Sequence, residues 1–149
     1  MQYAMGEYLS GTDAFMWSLG GDPVLRSTIV TLIMLDRSPD WKLVVDRFDR
    51  ISQTVPRFRQ RVARSMAPLP PRWELDPDFD LAFHLHRLTE PGFRQSDLLN
   101  LATRALMAGY DRNRPLWEAT LVDGLADGSA ALLCKFDHAL TDGMGAVQI

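Results

Sequence analysis

The feature that most constrains this chain is the apolar run Ala130-Ala131-Leu132-Leu133-Cys134. It lies behind the turn residues Asp127-Gly128 and runs directly into Lys135-Phe136-Asp137-His138-Ala139-Leu140-Thr141-Asp142-Gly143. A short unbroken apolar run bounded by a turn reads as a strand buried within a sheet. On an extended backbone Leu132, Cys134, Phe136 and His138 share one face, and Leu133, Lys135 and Asp137 the other. The spacing therefore predicts His138 at the end of a fixed strand, beside a turn, with Asp137 pointing away from it. A neutral imidazole so placed has the intrinsic pKa to take a proton from a hydroxyl near neutral pH. Asp142 lies past the turn, suited to capping a helix over 143–149 or to pairing with an arginine that braces the loop. Gly143 lets the backbone turn where a side chain would obstruct. On local pattern alone, a partly buried histidine at a strand end fits the same string.

The rest of the chain supplies partners for that strand. Ser10 and Thr12 precede a short helix within Leu9–Leu19, and Gly20-Gly21-Asp22-Pro23 breaks it. Thr28 to Asp36 is apolar on both faces, as for a strand covered on both sides. Ser38-Pro39 reads as a helix start, followed by a stripe of Trp41, Val44, Val45, Phe48, Ile51 and Val55 up to Pro56. Arg57, Arg59 and Arg61 alternate, with Arg64 after them. On a strand the first three line one face, solvated or suited to the phosphates of a nucleotide-bearing cofactor. Pro68, Pro70 and Pro71 mark an extended loop that continues through Trp73 to Phe79.

Leu81 to Leu88 reads as a strand with His84 and His86 on one face, and no third ligand with metal-binding spacing accompanies them. A second helix begins at Ser96, carries Leu98, Leu101, Ala102, Ala105 and Leu106 inward, and stops at Gly109. After the charged turn Asp111–Pro115, Trp117, Ala119 and Leu121 alternate with Glu118 and Thr120 as a strand. The loop from Asp123 to Gly128 makes this strand and the one delivering His138 a hairpin. The order is helix, strand, helix, strand, helix, strand, strand, helix: a mixed α/β domain.

Composition narrows the class. The 149 residues are 46% hydrophobic and 23% charged, ordinary for one globular domain, and the formal net charge of −3 gives no electrostatic case for nucleic acid. The single cysteine, Cys134, sits in the apolar run, so neither a disulfide framework nor a metal site is expected, and a cytoplasmic setting is the simplest inference. Residues 1–20 lack a basic segment followed by an apolar one, and the longest apolar run, near Ile29–Leu35, is too short to span a bilayer.

Several separated strings agree with one family. They are Leu9-Ser10 with Asp13-Ala14-Phe15, Pro56-Arg57-Phe58-Arg59-Gln60-Arg61, and Trp73 with Asp76-Pro77-Asp78-Phe79-Asp80-Leu81 and His84. Asp111-Arg112-Asn113-Arg114-Pro115-Leu116-Trp117-Glu118, Gly124-Leu125 and Lys135 to Gly143 follow in the same order. Together they resemble the N-terminal half of the bacterial wax ester synthase/acyl-CoA:diacylglycerol acyltransferases. The resemblance implies an α/β (α+β two-layer sandwich) fold, a chloramphenicol-acetyltransferase-like half with a mixed sheet and covering helices. It also implies an N-terminal acyltransferase domain over 1–149 that stops just after the active-site motif, with a C-terminal half missing.

By that resemblance, His138 corresponds to the second histidine of the family motif His-His-x-x-x-Asp-Gly and is the general base. Asp142 and Gly143 are its structural support, and Pro115-Leu116-Trp117 matches a motif near the substrate channel. Acyl-CoA is then a co-substrate rather than a bound cofactor, no metal takes part, and the acceptor is a diacylglycerol or a fatty alcohol. Such substrates imply peripheral contact with a membrane or lipid-droplet surface.

The chain departs from the motif at its first histidine, where it has Asp137. If the backbone brings the two side chains together, a carboxylate there raises the pKa of His138 and reduces its neutral fraction. Two further readings follow from the same strings. One is a lipid- or acyl-CoA-binding module without turnover; the other is a condensation-domain-like acyltransferase using a carrier-bound donor.

Overall fold

The computed structural model describes residues 7–142, with side chains as far as Leu140. Four strands form its main sheet. These are β1 (Thr28–Leu35), β4 (Leu85–Phe93), β5 (Trp117–Leu125) and β6 (Ala130–Asp137), in the order β1-β6-β5-β4. β6 is antiparallel to both neighbours, with Trp117 opposite Phe136 and Ile29 opposite Phe136 on the other side. β4 runs parallel to β5, so the sheet is mixed, as expected. The β5–β6 hairpin is present, turning through Asp127 and Gly128, whose φ of 81° suits glycine.

Adjacent residues of the hairpin alternate between two cores. Trp117, Ala119, Leu121 and Cys134 face α2 (Trp41–Thr54) through Val44, Val45 and Phe48. Val122 and Ala131 face α3 (Gln95–Met107) through Leu98 and Leu101. The two helices thus cover opposite faces of one sheet; Val44, Val45, Phe48, Leu98 and Leu101 were legible as core, whereas Ile51 and Leu106 of the expected stripes are each 41% exposed. A third, smaller core joins α1 (Gly11–Leu19), a two-stranded sheet and α4 (His138–Asp142) through Leu9, Val62, Trp73, Leu116 and Ala139. That small sheet pairs β2 (Gln60–Ala63) with β3 (Arg72–Leu75).

Several expectations are corrected here. β1 is an edge strand rather than one covered on both sides; Ile29 and Ile33 are 37% and 46% exposed, because α2 sits over β5 and β6 instead. α2 starts at Trp41, where the Asp40 carboxylate accepts from the Leu43 N–H at 3.1 Å. Ser38 instead donates to Asp123 across the sheet at 3.1 Å. The stretch after Pro71 includes β3 rather than continuous loop, and β4 begins at Leu85, since 81–83 form a single 3₁₀ turn.

α3 begins at Gln95 and ends at Met107, with Asp97 accepting from the Arg94 N–H at its start. Gly109 does not stop the helix, whose C-cap is Ala108; it lies one residue beyond, against the Arg26 side chain. A Cβ there would stand 2.9 Å from the Arg26 guanidinium, and its carbonyl receives the Lys135 ammonium at 2.9 Å. His138 is not the last residue of the strand but the first of α4. The helix expected over 143–149, and Gly143 with it, lie outside the described residues.

Candidate active site

The backbone itself brings the two motif strings together. The Asp137 N–H donates to the Leu116 carbonyl at 3.0 Å, and the His138 N–H donates to the Ser27 carbonyl at 2.8 Å. His138 therefore leaves β6 where β1, β5 and the 115–117 turn converge. Its position is fixed by main-chain bonds to segments more than 20 and more than 100 residues away in sequence. The ring is half-buried, so the protein shapes one side of it.

Asp137 does not simply point away. Its Oδ1 accepts from the Ala139 N–H at 3.0 Å, capping the first turn of α4, and the side chain is buried. This cap is why the chain turns helical at 138 rather than one loop later. Burial raises the Asp137 pKa above the usual carboxylate value, opposed by the Ala139 N–H, the Arg112 guanidinium and the His138 imidazole. Asp142 falls inside α4, so it does not cap a helix starting at 143; its side chain lies outside the described residues.

The 115–117 segment divides between core and cleft. Leu116 packs against Ala139, next to His138. Trp117 is fully buried, and its Nε1 donates to the Phe58 carbonyl at 2.9 Å. Its ring stacks on His84 at 4.8 Å and on Phe48 at 5.9 Å, with Phe58 edge-on at 4.8 Å. Pro115 and Trp117 also line a cleft of about 220 Å³, together with Phe83, His84, Tyr110 and Arg114.

His84 and His86 are not brought together. His84 is buried between Phe79 and Trp117 with Nδ1 at 2.8 Å from the Trp117 carbonyl, while His86 is exposed on β4. Burial lowers the His84 pKa and keeps the ring neutral. Among the described residues no cluster of three His, Cys, Asp or Glu side chains could hold a metal.

The arginines expected to alternate along one strand face sit across a 3₁₀ turn and β2, and each meets a carboxylate. Arg57 pairs with Glu7 at 2.7 Å, Arg59 with Asp49 at 3.1 Å and Arg61 with Glu74 at 3.0 Å. Guanidinium groups already paired in this way are poorly disposed to take up phosphate.

Three residues escaped the sequence reading. Arg112 donates to the Trp17 carbonyl, lies over the Trp17 ring at 4.0 Å, and faces Asp137. Lys135 is buried under Tyr110, 4.3 Å from its ring centre and 3.7 Å from Glu118, and burial lowers its pKa. Burial raises the Tyr110 pKa. The signal for all three was their polarity within or beside strings otherwise read as core or turn.

Comparison with known proteins places this arrangement. The profile of the wax ester synthase/diacylglycerol acyltransferase catalytic domain matches residues 9–149. A Mycobacterium tuberculosis protein provisionally named a diacylglycerol O-acyltransferase is 42% identical over 147 residues, covering 97% of this chain and 30% of that protein. A second from the same organism is 32% identical over 148 residues, covering 95% and 31%. The chain thus spans about a third or less of these relatives.

Among solved structures, the wax ester synthase/diacylglycerol acyltransferase of Marinobacter aquaeolei superposes with a TM-score of 0.69 at 27% identity, over 93% of this chain and 36% of that one. A starter condensation domain of rhizomide synthetase superposes at 0.76 with 13% identity, over 96% and 35%, which shows the shared fold. Among the described residues no helix is long and apolar enough to cross a membrane.

Proposed function

This chain belongs to the wax ester synthase/diacylglycerol acyltransferase family, and we propose that it carries the catalytic base of an acyl-CoA-dependent O-acyltransferase. The observation that carries this reading is the placement of His138. Within a family match running through 9–149, it leaves the central strand where the Leu116 carbonyl holds the Asp137 N–H.

In the proposed reaction, His138 accepts the proton of an acceptor hydroxyl while its oxygen attacks the thioester carbonyl of a long-chain acyl-CoA. The tetrahedral centre then expels CoA thiolate, which recovers the proton from the imidazolium, leaving an ester and free CoA. No acyl-enzyme forms. A positioned base contributes about 10²–10⁴-fold, and holding donor and acceptor together contributes the rest. Diacylglycerol and a fatty alcohol both fit the acceptor role, giving triacylglycerol or wax ester. Leu116 packs against Ala139 beside the base, and Pro115 and Trp117 line the cleft with His84 and Tyr110. The remaining length seen in the relatives supplies the facing side of the channel, and apolar substrates of this kind are met at a membrane or lipid-droplet surface.

The test is release of free CoA from palmitoyl-CoA with dioleoylglycerol or hexadecanol, in protein extended to the relatives' full length. Turnover lost in His138→Ala supports the base. Binding of acyl-CoA without turnover in the parent, unaffected by that substitution, supports a binding module instead.

A further inference from the structure

The family motif has histidine where this chain has Asp137, and the buried carboxyl group there is seated among groups that partly offset its desolvation. Asp137 Oδ1 takes the Ala139 N–H at 3.0 Å. Its other oxygen points at Gly20: a Cβ there would lie 3.8 Å from Asp137 Oδ2, 4.0 Å from an Arg112 Nη and 3.2 Å from the Trp17 carbonyl. A Cβ on Gly21 would stand 3.1 Å from the other Arg112 Nη.

The glycine pair that ends α1 therefore does more than break a helix. It opens the space in which the Arg112 guanidinium reaches the Trp17 carbonyl and ring and faces the carboxylate. Arg112 belongs to the 111–118 string, Gly20-Gly21 to the end of α1, and Asp137 to the end of β6, so three distant segments make one socket. A buried carboxylate needs such compensation, since an unpaired buried charge is strongly disfavoured.

We propose that Asp137 is a positioning residue. Its carboxylate, seated among Arg112, Gly20 and Gly21, caps α4 and so fixes the backbone from which His138 projects. This rests on the reading of His138 as the base. It makes the departure from the motif a working substitution, in which the side chain at 137 acts through main chain rather than on substrate. An imidazole there would bring a ring that can itself carry positive charge toward the Arg112 guanidinium, and it would have to find a new acceptor geometry for the Ala139 N–H.

The experiment compares Asp137→Asn, Asp137→Ala and Asp137→His with the parent. It uses two readouts: hydrogen exchange at the Ala139 amide, and kcat and KM for CoA release in protein of the relatives' full length. Asparagine keeps an acceptor of the same shape, so Ala139 protection and most of kcat are expected to survive. Alanine removes the cap, so Ala139 exchange accelerates and kcat falls by up to about 100-fold at unchanged KM, the size expected when a catalytic group is misplaced by about an ångström. Asp137→His is expected to stay below the parent.

Activity above the parent in Asp137→His would overturn the proposal, because it would show a decayed motif repaired. Equal Ala139 exchange in the alanine and asparagine variants would overturn it as well. The exchange readout does not depend on turnover, so failure of the acyltransferase reading leaves the cap separately decidable.

Discussion

The β5–β6 hairpin has two faces that meet at the same end of the sheet, and they are built from opposite chemistry. On one face Phe79, His84 and Trp117 stack in a row, with Phe58 edge-on and Phe48 behind, and the one polar ring among them is kept neutral. On the other face Lys135 and Asp137 are buried beside Tyr110, Glu118 and Arg112. The first face gains its stability from burial and packing. The second spends stability on desolvated charges, which makes sense where groups must be held in fixed positions. His138 emerges at the junction, with the aromatic face giving rigidity and the charged face giving orientation.

The largest test of this contrast is Trp117→Ala. It removes a fully buried indole, three ring contacts and the bond to the Phe58 carbonyl, and should cost about 3–5 kcal/mol in a denaturant titration. Arg112→Met keeps stem volume but removes the charge facing Asp137 and the donor to Trp17. A loss of about 1–2 kcal/mol is expected by the same titration, with Asp137→Ala close to it at about 1 kcal/mol through the lost cap. An Arg112→Met change as costly as Trp117→Ala would mean that the charged face bears as much of the fold as the aromatic one.

The two faces should also answer pH with opposite sign. The His84 pKa is lowered on folding, so its contribution is present above the unfolded value of about 6.5 and is lost as pH falls from there through the folded value. The Asp137 pKa is raised, so its contribution is full below the unfolded value of about 3.9 and is lost as pH rises through the folded value. Thermal midpoints followed from about pH 8 down to about pH 3, a span that holds both unfolded values, should lose the first trend in His84→Phe and the second in Asp137→Asn. The smallest effect is expected for Lys135→Met. The buried ammonium is replaced by an isosteric apolar chain while Glu118 stays partly in water, so stability should be unchanged or slightly higher.

The same contrast explains what could be read from the sequence. Much of the aromatic and aliphatic face was legible, because period-2 and period-3.6 patterns report burial: Trp117, Ala119 and Leu121, with Trp41, Val44, Val45, Phe48 and Val55 near α2 and Leu98 and Leu101 on α3, lie where their spacing put them, whereas Ile51 and Leu106 are each 41% exposed. The hairpin was expected through a loop over 123–128, and the structure shortens that loop because β5 runs on to Leu125. What escaped depends on distant pairing. β2 and β3 are four residues each, so their pattern is too short to stand out, and their single arginines, Arg61 and Arg72, both pair with Glu74. β1 is apolar on both faces yet lies at the edge, since nothing local says which strand a helix will cover. The strand pattern carried one residue too far, to His138, because the cap at Asp137 acts through the Ala139 N–H rather than through side-chain periodicity. Arg112 could not be assigned to Trp17, 95 positions away, from its own string.

The most direct measurement is release of free CoA from palmitoyl-CoA with dioleoylglycerol or hexadecanol, in full-length parent, His138→Ala and Asp137→Asn proteins compared side by side. Turnover in the parent, lost by about 10²–10⁴-fold in His138→Ala and largely kept in Asp137→Asn, is the predicted result. Turnover that survives in His138→Ala would contradict the assignment of His138 as the base.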